Sequence, residues 1–336
     1  MIKFGIIGTG VISVKFANAL NAVPDTKIEA VQDIIPESSK RFAEARGIEK
    51  VYATVEELAA DPEIDVVYIA TINPAHYEIA KTCLNAGKHV YCEKPFVMYK
   101  AQAEELVALA RSKGLLLCEN LWTKYLPIYD KVRTLLASGE IGEVRMIHCN
   151  YYFPAEFDPN GRLFDKEKGG GALLDIGAYG LGFVGMFMGY EPDKYVGIAN
   201  MGKSGVDERV HVALKYGDHM ADITCAITTP APQKAVIVGT KGRMEFSEFG
   251  RAQAGHVWVY GDGKLDANSK GAGTRSSVPE GGYDYEMKYP FEENGFEYII
   301  RAVVDAVKNG KVELEKATHA EIIAWTGIKE ELAKTF

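Results

Sequence analysis

No apolar run in this chain approaches the roughly 20 residues that a membrane-crossing helix needs. The first strand-like stretch starts at Ile2, leaving no room for a signal peptide. We therefore expect neither a membrane span nor export. Internal repeats and low-complexity tracts are missing too, which argues against a solenoid or a disordered linker. Cysteine is scarce and scattered. The five residues Cys83, Cys92, Cys118, Cys149 and Cys225 make no C-x-x-C pair and no metal-ligand spacing. That pattern predicts reduced core thiols, no metal centre and a cytoplasmic location. Basic residues are in deficit: 38 Lys and Arg against 46 Asp and Glu give a net charge of -8. Nucleic acid and anionic membrane are thereby disfavoured as partners.

What is present is an ordinary globular composition, 47% apolar and 25% charged over 336 residues. That length exceeds what one core usually holds, so two domains are expected, at 1–120 and 121–336. In the first, short apolar runs at 2–8, 27–33, 51–53, 66–70, 89–92 and 115–119 alternate with helical patterns. These helices begin near residues 11, 36, 54, 74 and 100. Asn73-Pro74 reads as an amide cap before a proline at the first helical position, and Gly87 and Gly114 as helix ends. Strands without polar alternation, separated by helices, predict a doubly wound parallel sheet covered on both faces.

After Asn120 the rhythm changes. Helices are predicted at 127–137 and, glycine-rich, at 171–188. Strands are predicted at 143–153, 194–201, 207–216, 219–228, 233–239 and 243–247, with hairpin turns at Gly217-Asp218 and Lys241-Gly242. Successive strands joined by turns predict an antiparallel sheet, so this half is expected to be an α+β domain. The segment 250–290 reads as loops with one strand near Val257–Tyr260, followed by closing helices at 291–308 and 318–333.

The stretch GIIGTGVIS, residues 5–13, follows the first strand and opens the first helix. Gly8 and Gly10 begin a G-x-G-x-x-G loop in which Ser13 takes the third glycine's place. Asp33 ends the second strand at the distance where a carboxylate takes ribose hydroxyls. Together these predict pyrophosphate binding by the loop Gly8, Thr9, Gly10, Val11 and Ile12 at a helix N-terminus. A carboxylate repels a 2′-phosphate and Ile34 supplies no cation, so NAD is favoured over NADP. Lys40 and Arg41, on the next helix, leave NADP possible.

The segment HVYCEKPF, residues 89–96, ends an apolar strand with Glu93, Lys94 and Pro95 at the sheet edge where open α/β sheets hold ligands. A lysine head desolvated there must meet an acceptor or a substrate oxygen. In GGGALLDIGAYGLGF, residues 169–183, Asp175 and Tyr179 stand four apart, on one helix face. Gly177 and Gly180 are poor helix formers, which suggests close approach of a cofactor or another backbone.

These motifs, with Thr71, Asn73 and His76 in a T-x-N-x-x-H segment, resemble the glucose–fructose oxidoreductase/inositol dehydrogenase (Gfo/Idh/MocA) family. LWTKYLP (121–127), SGEIGEV (138–144) and VIVGTKG (236–242) are most similar to its dimeric dihydrodiol dehydrogenase and D-xylose dehydrogenase branch. The resemblance runs from Ile2 to about Phe246. It implies an N-terminal Rossmann domain, a cis peptide before Pro95 that aims Lys94 into the cleft, and NAD(P)-dependent hydride transfer to or from a sugar, cyclic polyol or dihydrodiol. It further implies Lys94 and Tyr179 as the catalytic pair, and Asp175 as a substrate-orienting acid. It also implies that Glu93, Asn73 and His76 lie near the cofactor, and that the C-terminal domain has a large, open, mostly antiparallel sheet through which a homodimer or homotetramer forms. Two departures stand out: Lys124 replaces the branch's arginine, and Asp33-Ile34 replaces a small residue followed by arginine.

On this reading Tyr179, its pKa lowered by the Lys94 ammonium, exchanges the proton; alternatively Lys94 does so and Tyr179 orients. Trp122 is either a cleft wall or a core residue at the domain junction, and Lys124 is a candidate substrate contact. Tyr151, Tyr152, Phe153, Arg162, Trp258, Tyr283 and Tyr285 are candidate pocket-lining residues. The rival readings are a dinucleotide-dependent sensor or regulatory binding protein without catalysis, a purely structural two-domain protein and, among enzymes, a keto-sugar reductase.

Overall fold

The computed structural model describes residues 1–260 and 281–336; part of the 250–290 expectation thus lies outside the described residues. The first sheet has strands β1 (Ile2–Ile7), β2 (Thr26–Gln32), β3 (Lys50–Tyr52), β4 (Val66–Ile69), β5 (His89–Glu93) and β6 (Leu117–Asn120). All pair in parallel, in the order β3-β2-β1-β4-β5-β6. That is the order of a dinucleotide-binding sheet. Between the strands run α1 (Val11–Leu20), α2 (Pro36–Glu44), α3 (Val55–Ala60), α4 (His76–Asn85) and α5 (Lys100–Lys113).

Local sequence explains these boundaries. Thr54 accepts from the Glu57 amide while Glu57 reaches back to Thr54, a reciprocal cap on α3 contributing about 1 kcal/mol. Gly114 ends α5 at φ 66, a left-handed position that glycine occupies without strain. Strands β4 and β5 bury nearly every residue, because helices cover both faces. Asn73 departs from the expectation of a cap: it lies inside a short 3₁₀ turn, Asn73–Ala75, and its side chain caps nothing there.

The second sheet contains β7 (Val144–Tyr152), β8 (Lys194–Met201), β9 (Asp207–Tyr216), β10 (His219–Ala226), β11 (Lys234–Gly239), β12 (Gly242–Ser247), β13 (Ala254–Val259) and β14 (Tyr283–Lys288). Their order is β14-β13-β12-β11-β7-β10-β9-β8. Every pairing is antiparallel except β7 with β10. One face packs on α6 (Pro127–Ala137), α7 (Ala172–Asp175) and α8 (Gly177–Met188). Among the described residues the opposite face carries no helix, and Val196, Ile198 and Met220 there are about half exposed or more.

The predicted helix 171–188 is broken at Ile176 into α7 and α8. Its glycines serve packing. A Cβ on Gly180 would lie 2.4 Å from the Ile223 side chain of β10, and one on Gly182 would lie 2.2 Å from Leu121. Side chains from the sheet and the preceding loop therefore fill the space assigned above to a cofactor or another backbone. The closing helices α9 (Phe296–Lys308) and α10 (His319–Ala333) return to the first sheet's layer, α9 against α1 and α10 against α5. The Leu117 amide also donates to Val312 O at 3.0 Å.

Candidate active site

The sheet order reverses between β1 and β4, and the carboxyl ends of the parallel first-sheet strands lie along one edge, where open α/β sheets hold ligands. Gly8, at φ 89, lies against the end of β4: a Cβ there would stand 2.5 Å from Ala70 O. Ser13 fills the third-glycine position and donates to Gly8 O at 2.6 Å, so the loop keeps its tight turn without a third glycine. Nothing lies within 4 Å of where a Gly10 Cβ would be. Beyond it the first-turn amides of Val11 and Ile12 precede the earliest intrahelical bonds, from Ser13 and Val14 to Gly10 O. Open space before free helix-start amides is what a pyrophosphate requires.

Asp33 lies beside this loop. Its Oδ2 accepts from the Thr9 amide (2.7 Å) and hydroxyl (2.8 Å), and its Oδ1 from the Ile35 amide (2.9 Å). Val11, Ile34, Ile35 and Ile72 leave 81%, 89%, 57% and 41% of their surfaces exposed. Four large apolar residues bared along the same strand-end rim form the kind of patch that a flat ligand covers. The residues present fit a dinucleotide.

Across the cleft, β5 delivers Glu93 and Lys94, and the Lys94–Pro95 peptide is cis. The Lys94 ammonium donates to Asp175 O at 2.7 Å and to Asp175 Oδ1 at 3.2 Å. It also lies 4.9 Å from the centre of the Tyr179 ring. Arg162 donates to the same Asp175 Oδ1 at 2.8 Å. Burial works against the charged form of Asp175, yet Lys94 and Arg162 outweigh it and hold the carboxyl below its ordinary range.

Tyr179 behaves differently from the expectation. Burial raises its pKa, and Glu93 raises it further, while the Trp122 indole acts in the opposite direction. Lys94 lies over the ring face, so its charge does not turn the phenol into a phenolate. Tyr179 is a neutral phenol in this geometry.

Glu93 is buried between Tyr68, which donates at 2.5 Å, and Asn120, whose amide donates at 2.5 Å. Burial raises its pKa; Tyr68, Asn120 and Lys94 only partly oppose this. His76 is fully buried, with Nδ1 3.1 Å from both Pro95 O and Phe96 O, and Nε2 3.2 Å from Thr71 O. It staples the loop after β5 to the end of β4. The Asn73 amide donates to Gly169 O at 3.1 Å, joining the edge of the first sheet to the glycine run ahead of Asp175.

Two substrate expectations separate here. Trp122 packs on Phe296 and Phe291 with ring centres 4.9 and 6.3 Å apart. It is buried there, with its indole beside Tyr179. Lys124 does not reach the cleft. It is 2% exposed, ion-paired with Glu321 of α10, and donates to Lys316 O at 3.0 Å. Shortening the branch's arginine to lysine leaves a point charge that Glu321 neutralises internally.

Of the pocket candidates, Tyr151 stacks on Tyr179 at 5.0 Å. Trp258 instead lies against His256 and Arg243 on the second sheet's outer face, and Tyr283 and Tyr285 both donate to Glu140. Sequence reading did not single out Asp207, which accepts from the Leu173 amide at 2.7 Å and so anchors the start of α7. Its carboxyl is pushed up to about 6 by burial, against the backbone amides that favour its charge. Nor did it see Tyr68 and Asn120 as the partners of Glu93.

Residues 2–121 match the oxidoreductase family with an NAD-binding Rossmann fold, and residues 129–245 match the GFO/IDH/MocA C-terminal domain. The chain belongs to the Gfo/Idh/MocA oxidoreductase family. It is 40% identical over 251 residues to a trans-1,2-dihydrobenzene-1,2-diol dehydrogenase of Xenopus laevis, covering 74% of this chain and 76% of that protein. The human protein of the same name is 38% identical over 252 residues, 73% and 74% of the two chains. Among solved structures, a 3-ketoreductase from Actinomadura kijaniata, in complex with NADP and TDP-benzene, superposes with a TM-score of 0.84. It is 25% identical and the match covers 99% and 97% of the two chains. An aldose-aldose oxidoreductase from Caulobacter crescentus has the same TM-score at 20% identity, over 99% and 98%, and shares the fold.

Proposed function

We propose that this oxidoreductase interconverts a ring secondary alcohol and its ketone, on a sugar, cyclic polyol or dihydrodiol, with Lys94, Tyr179 and Asp175 as its working side chains. The observation that carries the reading is the Lys94 ammonium fixed by two bonds to Asp175 beside the Tyr179 ring. The diol dehydrogenases among its relatives and the ketoreductase among its structural neighbours support the same chemistry.

The loop Gly8–Ile12 and Asp33 would hold NAD(P), which when bound supplies or accepts the hydride. Lys94 donates to the substrate oxygen and steadies its developing negative charge. Tyr179, a neutral phenol, gives that oxygen its proton in the reducing direction. Oxidation reverses the transfer and requires the phenol proton to leave first, so it gains from alkaline pH. Asp175 keeps the ammonium aimed, and Glu93, His76 and Asn73 brace the loops that carry it. Asp33 places negative charge where a 2′-phosphate would go, which favours NAD; the ketoreductase holds NADP, so both cofactors belong in the test.

The helix-free face of the second sheet, with Val196, Ile198 and Met220 exposed, is read as a homodimer contact. The five free, buried cysteines suit a cytoplasmic location. The domain division at 120/121 separates the sheet that carries the nucleotide loop from the elements that carry Asp175 and Tyr179. The deciding experiment follows nicotinamide absorbance with each cofactor across a panel of cyclic diols, aldoses and keto-sugars. Turnover of ring alcohols or ketones supports the reading; cofactor binding without turnover of any of them contradicts it.

A further inference from the structure

Arg162 has no part in the chemistry described above beyond touching Asp175. Its side chain is 43% exposed and spends one N–H on Asp175 Oδ1. Among the described residues it makes no other hydrogen bond, so most of a five-donor fork remains uncommitted. The Lys94 ammonium bonds that same oxygen. Two cationic donors sharing one acceptor at 2.8 and 3.2 Å must stand within about 6 Å of each other, side by side at the cleft. Such a pair spans two neighbouring oxygens on one ring better than it serves a single oxygen.

The segment bearing Arg162 is fixed in place. Phe164 is buried against Phe157 with ring centres 5.0 Å apart. The Gly171 amide donates to Leu163 O at 3.0 Å, and the Gly170 amide to Asp165 O at 3.0 Å. A Cβ on Gly170 would stand 2.9 Å from Arg162 O, so the backbone around the arginine is packed onto the glycine run leading to Asp175. A donor held this way loses little freedom on meeting a ligand.

We propose that Arg162 makes the enzyme specific for vicinal diols, by donating its free N–H groups to the hydroxyl beside the reacting one. The inference rests on the alcohol–ketone reading above. Lys94 and Tyr179 take the reacting oxygen. The adjacent hydroxyl accepts from the guanidinium and donates to the Asp175 carboxylate, so one carboxylate and two cations read both oxygens. An isolated secondary alcohol leaves the fork and the carboxylate unanswered, and a site built to bond a hydroxyl discriminates against an analogue without one.

The test compares kcat/KM for trans-cyclohexane-1,2-diol and cyclohexanol, at saturating cofactor, in the wild type, Arg162→Gln and Arg162→Lys, with thermal melts confirming folding. The wild type should favour the diol by roughly 10- to 100-fold, the worth of one or two charge-assisted hydrogen bonds. Arg162→Gln should bring the ratio close to one, whatever loss both substrates share, and Arg162→Lys should fall between. An unchanged ratio in Arg162→Gln, or in Arg162→Lys should the glutamine variant fail to fold, overturns the proposal. Equal efficiency on both alcohols in the wild type overturns the proposal and leaves the alcohol–ketone reading standing. Failure of the wild type on both alcohols, and on the wider panel, overturns the two together.

Discussion

Replacing Lys124 with methionine separates a structural lysine from a substrate-binding one. Lys124 and Glu321 are 2% and 7% exposed, and the carboxylate also accepts from the Trp325 indole at 3.1 Å. Removing the ammonium leaves Glu321 buried with only a neutral donor. Breaking one side of a buried pair costs about 3–5 kcal/mol. For a chain of 336 residues the unfolding entropy is roughly 0.7 kcal/mol per kelvin, so Tm should fall by about 4–7 °C. The double variant Lys124→Met/Glu321→Gln should recover a large part of that loss, because the orphaned charge goes with its partner. Thermal unfolding and steady-state kinetics on the same preparations measure both consequences. We expect kcat/KM to stay within about threefold of wild type, since the ammonium never reaches the cleft. A kcat/KM loss above tenfold with Tm unchanged would refute the reasoning and return Lys124 to the substrate site.

Three further outcomes follow from the same structure. Asp33→Ser removes the charge at the ribose position and should cut the NAD-to-NADP ratio of kcat/KM by at least about tenfold; an unchanged ratio would show that Asp33 does not select the cofactor. Burial pushes the Asp207 carboxyl up to about 6 from an ordinary 3.8, so the native state holds its proton more tightly than the unfolded chain. Its contribution to stability is therefore greatest below pH 3.8 and declines as pH rises through about 6, by roughly 1–3 kcal/mol. Urea unfolding should show Asp207→Asn gaining on wild type by that amount between pH 4 and pH 7, and a constant difference would contradict it. If the sheet face carries the proposed homodimer contact, Ile198→Asp there should convert that dimer to a monomer in sedimentation with the fold retained; an unaltered assembly state would contradict the proposed contact.

The first sheet was readable from sequence because parallel strands covered on both faces leave unalternating apolar runs, as at VVYI (66–69) and HVYC (89–92). Helix α6 was readable from Pro127 at its start and Gly139 just beyond its end. Strand β14 escaped notice because it is an edge strand: of Tyr283–Lys288 only Met287 is buried, so no apolar face betrays it. Asp175 and Tyr179 were read as sharing one face of a continuous helix, whereas the structure breaks that helix between them at Ile176. Gly177 and Gly180 were visible as helix-unfriendly residues, whereas Ile223, which requires glycine at 180, is distant in sequence. Lys124 was misassigned for the same kind of reason: Glu321, 197 residues away, claims its charge. The lowering of the Tyr179 pKa was expected from a nearby cation alone; burial and Glu93, both matters of three-dimensional packing, reverse it.

The central claim concerns Lys94 and Tyr179, and single-turnover reduction of a ring ketone by NADH or NADPH, at saturating cofactor, addresses it most directly. Tyr179→Phe removes the proton donor and Lys94→Met the cation that steadies the oxygen. Each should slow the hydride step by about 10²–10⁴-fold while cofactor affinity stays within a few-fold of wild type. Rates near wild type in both folded variants would contradict the account.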